Sequence, residues 1–186
     1  MRQLTHGNVD LVLGNIVDQK TDAIVNAANT KLTGGGGVDG AIHRAAGPEL
    51  KEFCLQFPAD EQGRRCQTAQ VQTTTAGNLS ARYVIHAVGP FYNEAYADKA
   101  HKQLQQVHLL ALQAALDHNC RSIAFPAIST GAYRFPIADA AKIAIDTVCT
   151  FLNQNVGIEL VCFVLFKQRQ FDTFQTALDN WSPDRP

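Results

Sequence analysis

The chain has 186 residues, 46% of them hydrophobic and 18% charged, with a net charge of −1. That length fits one domain spanning residues 1–186, with enough chain for a sizeable core. The near-neutral balance excludes the basic footprint of a protein that lives on nucleic acid, so an anionic ligand would be held by backbone amides and helix N-termini.

The cysteines are Cys54, Cys66, Cys120, Cys149 and Cys162, odd in number and without CxxC spacing. They suggest neither a disulfide framework nor a zinc cluster, and reduced, buried thiols are the expectation. The six histidines are scattered and form no HExxH pair, so no metal or cofactor is predicted. MRQLTHGNVD lacks the apolar core of a signal peptide, and no apolar run reaches transmembrane length. A soluble, cytoplasmic protein without membrane contact is predicted.

In chain order, residues 9–13 read as a strand closed by Gly14-Asn15, and 16–21 as a polar connection or one helical turn. The apolar run Ala23-Ile24-Val25 reads as a buried strand, followed by Asn26 and Asn29, amides for which a purely structural strand has no use. Four glycines, Gly34 to Gly37, come next, then Val38-Asp39-Gly40, and a helix is expected from Ala41. Each glycine in regular structure costs roughly 0.5–1 kcal/mol relative to alanine. Such a run is tolerated where backbone passes close to a ligand or aims several N–H groups at one anion.

Pro48 suits the first position of a second helix whose face carries Leu50, Phe53, Cys54 and Phe57. Residues 58–65 read as a loop with two solvated arginines; strands follow at 69–74 and 83–88. A long helix is predicted over 97–119, with Leu104, Val107, Leu110, Ala111, Ala114 and Ala115 as its apolar stripe. Then come a strand at 122–128, a loop at 129–135, a helix from Pro136 to about 152, a strand at 159–166 and a helix at 171–181. The alternation predicts an α/β fold, a mixed sheet with helices on both faces and ligands at the strand carboxyl ends. Pro126 is a misfit inside a central strand.

The glycine run formally satisfies GxGxxG, as Gly35, Gly37 and Gly40. Eight residues separate it from the strand, and the acids some 20 residues on, Asp60 and Glu61, lie in a polar loop; both count against a dinucleotide dehydrogenase. GxxxxGK[ST] is absent, and Ser129 lies in AISTG and not GxSxG, against a serine-hydrolase elbow. Ser129-Thr130-Gly131-Ala132-Tyr133 joins a strand to a helix, so its amides can converge on phosphate oxygens. Asp39 has two readings: the N-cap of the helix it precedes, or a carboxylate that orients or deprotonates a water.

Asn29, six intervening residues and then Gly36-Gly37-Val38-Asp39 resembles the signature of the MacroD-type macrodomains. The resemblance runs through Val25-Asn26-Ala27-Ala28-Asn29 and Ala41-Ile42-His43-Arg44-Ala45-Ala46-Gly47 and covers nearly the whole chain. It implies a three-layer α/β/α macrodomain fold with a mixed central sheet. It further implies a hydrolase that removes ADP-ribose from ester-linked adducts, O-acetyl-ADP-ribose and ADP-ribosylated proteins among them. Nucleic acid would be a partner only if ADP-ribosylated. A non-catalytic ADP-ribose reader is the alternative; it would need the glycine wall but not Asp39.

The resemblance also implies residue roles. Asn29 would hydrogen-bond the distal ribose and, with Asp39, form the catalytic pair. Gly36, Gly37 and Val38 would wall the ribose, and Asn26 would brace the loop. Ser129, Thr130, Gly131 and Ala132 would wrap the diphosphate, with Tyr133 near the distal ribose and Arg134 beside it. Asn15-Ile16 would meet adenine and Phe166 would stack on it. The family has Asp where this chain has Asn15, so the charge-assisted part of that hydrogen bond, roughly half its strength, is lost.

Overall fold

The computed structural model describes residues 1–183. Strands are β1 (Arg2–Gln3), β2 (Asn8–Leu13), β3 (Ala23–Ala27), β4 (Val71–Thr75), β5 (Tyr83–Ala87), β6 (Ser122–Phe125) and β7 (Leu160–Leu165). Helices are α1 (Gly37–Ala46), α2 (Pro48–Gln56), α3 (Ala97–Asp117), α4 (Ile137–Gln154) and α5 (Gln168–Asp179). The strands form one mixed sheet in the order β1-β2-β7-β6-β3-β5-β4. Its five inner strands are parallel, and β1 and β4 close the two edges antiparallel.

Strand side chains alternate between faces, and the core divides accordingly. Ala23, Val25, Ile123, Phe125, Val161 and Phe163 pack with residues of α3, α4 and α5. Ile24, Val84, Ala124, Cys162 and Val164 pack with Ile42 and Ala46 of α1 and Leu50 of α2. The result is three layers, α/β/α. Asn26 has the parity of Ile24, and His86 that of Val84. These two register neighbours across β3 and β5 therefore both face α1 and α2.

Several element ends differ from the sequence expectation for local reasons. The strand expected to reach residue 128 stops at Phe125, so Pro126 sits just past its end and breaks no ladder. β4 begins at Val71 because Ala69 is held at φ 65°, outside the extended region. Asn119, at φ 53°, lies beyond the end of α3 at Asp117. Within α3, Leu110 and Ala114 are only half-buried, and His108 and Leu112 complete the apolar stripe. Pro136 is the N-cap of α4, whose first residue is Ile137. α5 opens at Gln168, three residues early, where the Gln170 side chain folds back and its Oε1 accepts from Lys167 N at 3.3 Å. The two-residue β1 and a 3-10 turn at Glu94–Tyr96 have no counterpart in the sequence reading. Arg65 is not simply solvated: its Nη1 donates to Lys31 O at 3.4 Å and Gly63 O at 3.3 Å.

Candidate functional site

The parallel strands β2, β7, β6 and β3 are neighbours, so their carboxyl ends bring four loops to one rim of the sheet. Asn15 follows β2, Phe166 follows β7, Ser129 follows β6 and Asn29 follows β3. Three interstrand spacings of about 4.7–4.9 Å give a rim of roughly 14 Å. That suits an extended ligand better than a compact one.

The fourth position along that rim, after β3, is built from the glycine run. α1 starts at Gly37, earlier than the expected Ala41, so the last glycine, Val38 and Asp39 form its first turn. The N-cap is Gly36, which corrects the N-cap reading of Asp39: the carboxylate sits at N3 and is only 5% exposed. Asn26 Nδ2 donates to Asp39 Oδ1 at 2.7 Å, and Asn29 Nδ2 reaches Asp39 Oδ2 at 3.4 Å. Asn29 Nδ2 also donates to Gly34 O at 3.0 Å, while its Oδ1 accepts from Lys31 N at 3.0 Å, stapling the loop. Two amides thus hold the two oxygens of one buried carboxylate. Burial pushes the Asp39 carboxyl above its ordinary value, and the Asn26 hydrogen bond and His43 only partly oppose this.

Glycine is required here for two separate reasons. Gly37 has φ 60°, a left-handed conformation that side chains disfavour. A Cβ on Gly40 would lie 2.4 Å from Gly35 O, so α1 could not close against the loop. Above Gly36, Gly37 and Gly131, by contrast, a Cβ would meet no atom within 4 Å: these backbones face open space. The amides at the start of α1 are among the orphan donors of a helix N-terminus.

The second loop is folded on itself. Thr130 Oγ1 donates to Ala127 O at 2.9 Å, Phe135 N to Ser129 O at 3.0 Å and Arg134 N to Gly131 O at 3.0 Å. Ser129 and Arg134 both have positive φ, 65° and 57°. Tyr92 N donates to Tyr133 O at 2.9 Å, tying this loop to the one after β5. Phe91 packs beside Tyr133, ring centroids 5.9 Å apart. Burial raises the Tyr133 phenol, and the nearby charge of Asp39 raises it further, so the two loops converge on one electrostatic neighbourhood.

At the other end of the rim, Phe166 is 75% exposed, so its ring is free of the core. Asn15 has a local task as well: it caps the 3-10 turn Ile16–Asp18, its Oδ1 accepting from Val17 N at 3.4 Å. Ile16 is buried under this turn in the α1/α2 core. Asn26 has no exposed surface and can act only through its neighbours.

Sequence reasoning missed what lies beneath Asp39. His43 Nε2 stands 3.4 Å from Asp39 Oδ1, one helical turn further along α1. The i,i+4 spacing of Asp39 and His43 was a usable signal. His86 gave none: it arrives from β5, with Nδ1 3.2 Å from Asn26 Nδ2 and Nε2 3.0 Å from Thr74 Oγ1. Since Asn26 Nδ2 can only donate, His86 Nδ1 accepts and its proton is on Nε2. Burial holds His86 neutral, its pKa lowered to about 3. A separate groove between α4 and α5, lined by Lys142, Asp146, Arg169, Thr176 and Trp181, shares no residue with this site.

With fold and rim in place, the comparisons with known proteins agree. The Macro domain family matches residues 25–144, and the chain belongs to that family. The chain is 46% identical over 171 residues to a Macro domain-containing protein of Caldanaerobacter subterraneus subsp. tengcongensis, covering 92% of this chain and 95% of that one. It is 45% identical over 170 residues to a protein of Enterobacter sp. named O-acetyl-ADP-ribose deacetylase, covering 91% and 93%. The Oceanobacillus iheyensis macrodomain with ADP superposes with a TM-score of 0.90 at 40% identity, covering 96% of this chain and 93% of that one. The Trypanosoma brucei macrodomain in complex with ADP-ribose gives 0.81 at 37% identity, covering 91% and 68%. No helix among the described residues is long and apolar enough to cross a membrane.

Proposed function

We propose that this macrodomain binds ADP-ribose along the rim and hydrolyses its esters, both O-acetyl-ADP-ribose and mono-ADP-ribosylated Asp or Glu side chains on proteins. Adenine lies between Asn15-Ile16 and Phe166. The Ser129–Tyr133 loop and the first amides of α1 take the diphosphate. The distal ribose rests on Gly36, Gly37 and Val38, with Asn29 beside it. Water adds across the ester, releasing ADP-ribose and a free carboxylic acid. Asp39 accepts the proton of that water, which the substrate phosphates help to position.

One observation carries this reading: a buried carboxylate, raised in pKa and held by two amides, stands behind the open glycine wall. A carboxyl group with a raised pKa is a stronger base than an exposed one, as proton abstraction from water requires. Oδ2, whose contact with Asn29 is the longer, is the oxygen left to meet the water. The test is incubation with O-acetyl-ADP-ribose and with a mono-ADP-ribosylated protein, without added metal. Release of acetate and of ADP-ribose supports the reading; binding without release from either substrate overturns it in favour of a reader.

A further inference from the structure

His43 of α1, Cys54 of α2 and His86 of β5 come together on the covered face of the sheet, directly under Asp39. One ligand atom from each lies within 4.8 Å of the other two. Cys54 Sγ is 3.5 Å from His86 Nε2, and His43 Nε2 is 3.4 Å from Asp39 Oδ1. In a tetrahedral zinc site, metal–nitrogen bonds of about 2.0–2.1 Å and metal–sulfur bonds of about 2.3 Å space the ligand atoms about 3.3–3.6 Å apart. The two measured pairs already have that spacing. Drawing His43, Cys54 and His86 together from at most 4.8 Å asks for movements of about 1 Å, while Asp39, 3.4 Å from His43, stands beside this triad and would move in from there.

A second observation concerns satisfaction of polar groups. His43 Nε2 is buried and has no hydrogen-bond partner among the described residues, although its side chain keeps 12% exposure. Asn26 Oδ1 is buried and unpartnered in the same way. Buried polar atoms without partners call for an explanation, and an imidazole nitrogen pointed at a carboxylate without hydrogen-bond geometry is one ready to ligate. The three residues come from three elements 11 and 32 positions apart in sequence, so no linear spacing motif announces them.

We propose that His43, Cys54 and His86 form a binding site for a borderline divalent transition metal, zinc above all, with Asp39 supplying the fourth ligand. Two imidazoles, a thiolate and a carboxylate are the donor set for such an ion, and hard cations such as Mg²⁺ and Ca²⁺ would not use it. Binding releases the Cys54 thiol proton to solvent as the sulfur–metal bond forms. It also draws His86 away from the Asn26 or Thr74 hydrogen bond and ties up the Asp39 carboxylate. The metal is therefore an inhibitor of Asp39 chemistry and not its cofactor. This last consequence rests on the hydrolase reading; the site itself does not.

Cobalt titration of the chelator-treated protein tests the site independently of activity. Co²⁺ should give a thiolate-to-metal charge-transfer band in the near ultraviolet, removed by equimolar Zn²⁺. The band should vanish in Cys54→Ser and persist in Cys66→Ser, the control for the neighbouring buried thiol. His43→Asn, at a partly exposed helix position, should weaken Co²⁺ uptake and is the second variant should Cys54→Ser unfold. Absence of the band in wild type, or its persistence in Cys54→Ser, overturns the site. In turnover of O-acetyl-ADP-ribose, saturating Zn²⁺ should lower the wild-type rate by about 10²–10⁴-fold, the range for losing a positioned proton acceptor. Cys54→Ser should resist that inhibition. Charge transfer without inhibition would keep the site and overturn the role given to Asp39.

Discussion

Asn26 donates to Asp39 Oδ1 at 2.7 Å from a side chain that has no solvent exposure at all. The bond crosses from the sheet to the first turn of α1, so the shorter of the two amide contacts on the carboxylate ties it to the core, the longer one, from Asn29, to the loop. Asn26→Ala would leave the Asp39 carboxylate and His86 Nδ1 buried with one partner fewer each. Loss of a buried partner costs about 1–3 kcal/mol. Urea denaturation should show a destabilisation of that size, with turnover lowered as well. An unchanged midpoint would mean that water replaces the amide and that the brace is dispensable.

At the end of the rim proposed to take adenine, Asn15→Asp restores the acid of the family pattern. Asp caps a turn about as well as Asn, so the Ile16–Asp18 turn and the melting temperature should be retained. ADP-ribose should bind tighter by about 0.5–1.5 kcal/mol, the range of a net hydrogen bond strengthened. Calorimetry on the two proteins measures this. Weaker or equal binding would mean that position 15 serves the turn alone.

His108 predicts a pH dependence of stability. It is buried in α3, its ring stacked on Phe125 at 5.4 Å, with Nδ1 donating to Leu104 O at 2.8 Å. Burial lowers its pKa from 6.5 to about 4. The unfolded chain therefore binds a proton that the folded chain refuses, and stability contributed by the neutral ring is complete above pH 6.5. It is lost as pH falls from 6.5 toward 4, at about 1.4 kcal/mol per pH unit for one such group. His108→Leu should flatten the fall in urea midpoint between pH 7 and pH 5 relative to wild type. Parallel curves would show that His108 is not held neutral.

The parts of the fold and site that local chemistry writes were legible in the sequence. Alternating apolar strands and helical stripes gave the three layers, because burial on both sheet faces requires those periods. Asn29 and Gly34 to Gly37 stood out because a structural strand has no use for such an amide and a glycine run is costly in regular structure; Ser129 to Tyr133 reads alone as an ordinary strand–helix turn and gains weight only beside them. The remainder depends on distance in sequence. His86 reaches Asn26 across 60 positions and Cys54 across 32, through strand register and helix docking that no window of residues encodes. Asp39 was misplaced for a different reason: glycine's low helix propensity hid a helix that begins at Gly37, and the carboxylate moved from cap to first turn. Pro126 looked wrong only while its strand was drawn three residues too long.

Turnover by Asp39→Asn tests the central claim most directly. The substitution keeps the size of the side chain and one acceptor oxygen, which can still receive the Asn26 hydrogen bond. Because Asp39 sits at N3 and caps nothing, the expected stability cost is one rearranged hydrogen bond, about 1 kcal/mol. ADP-ribose should still bind by calorimetry. Under saturating O-acetyl-ADP-ribose without added metal, kcat should fall by about 10²–10⁴-fold, the worth of a positioned proton acceptor. A loss below about tenfold with binding intact would contradict the account, reducing Asp39 to a brace and leaving the proton to the substrate's own phosphate.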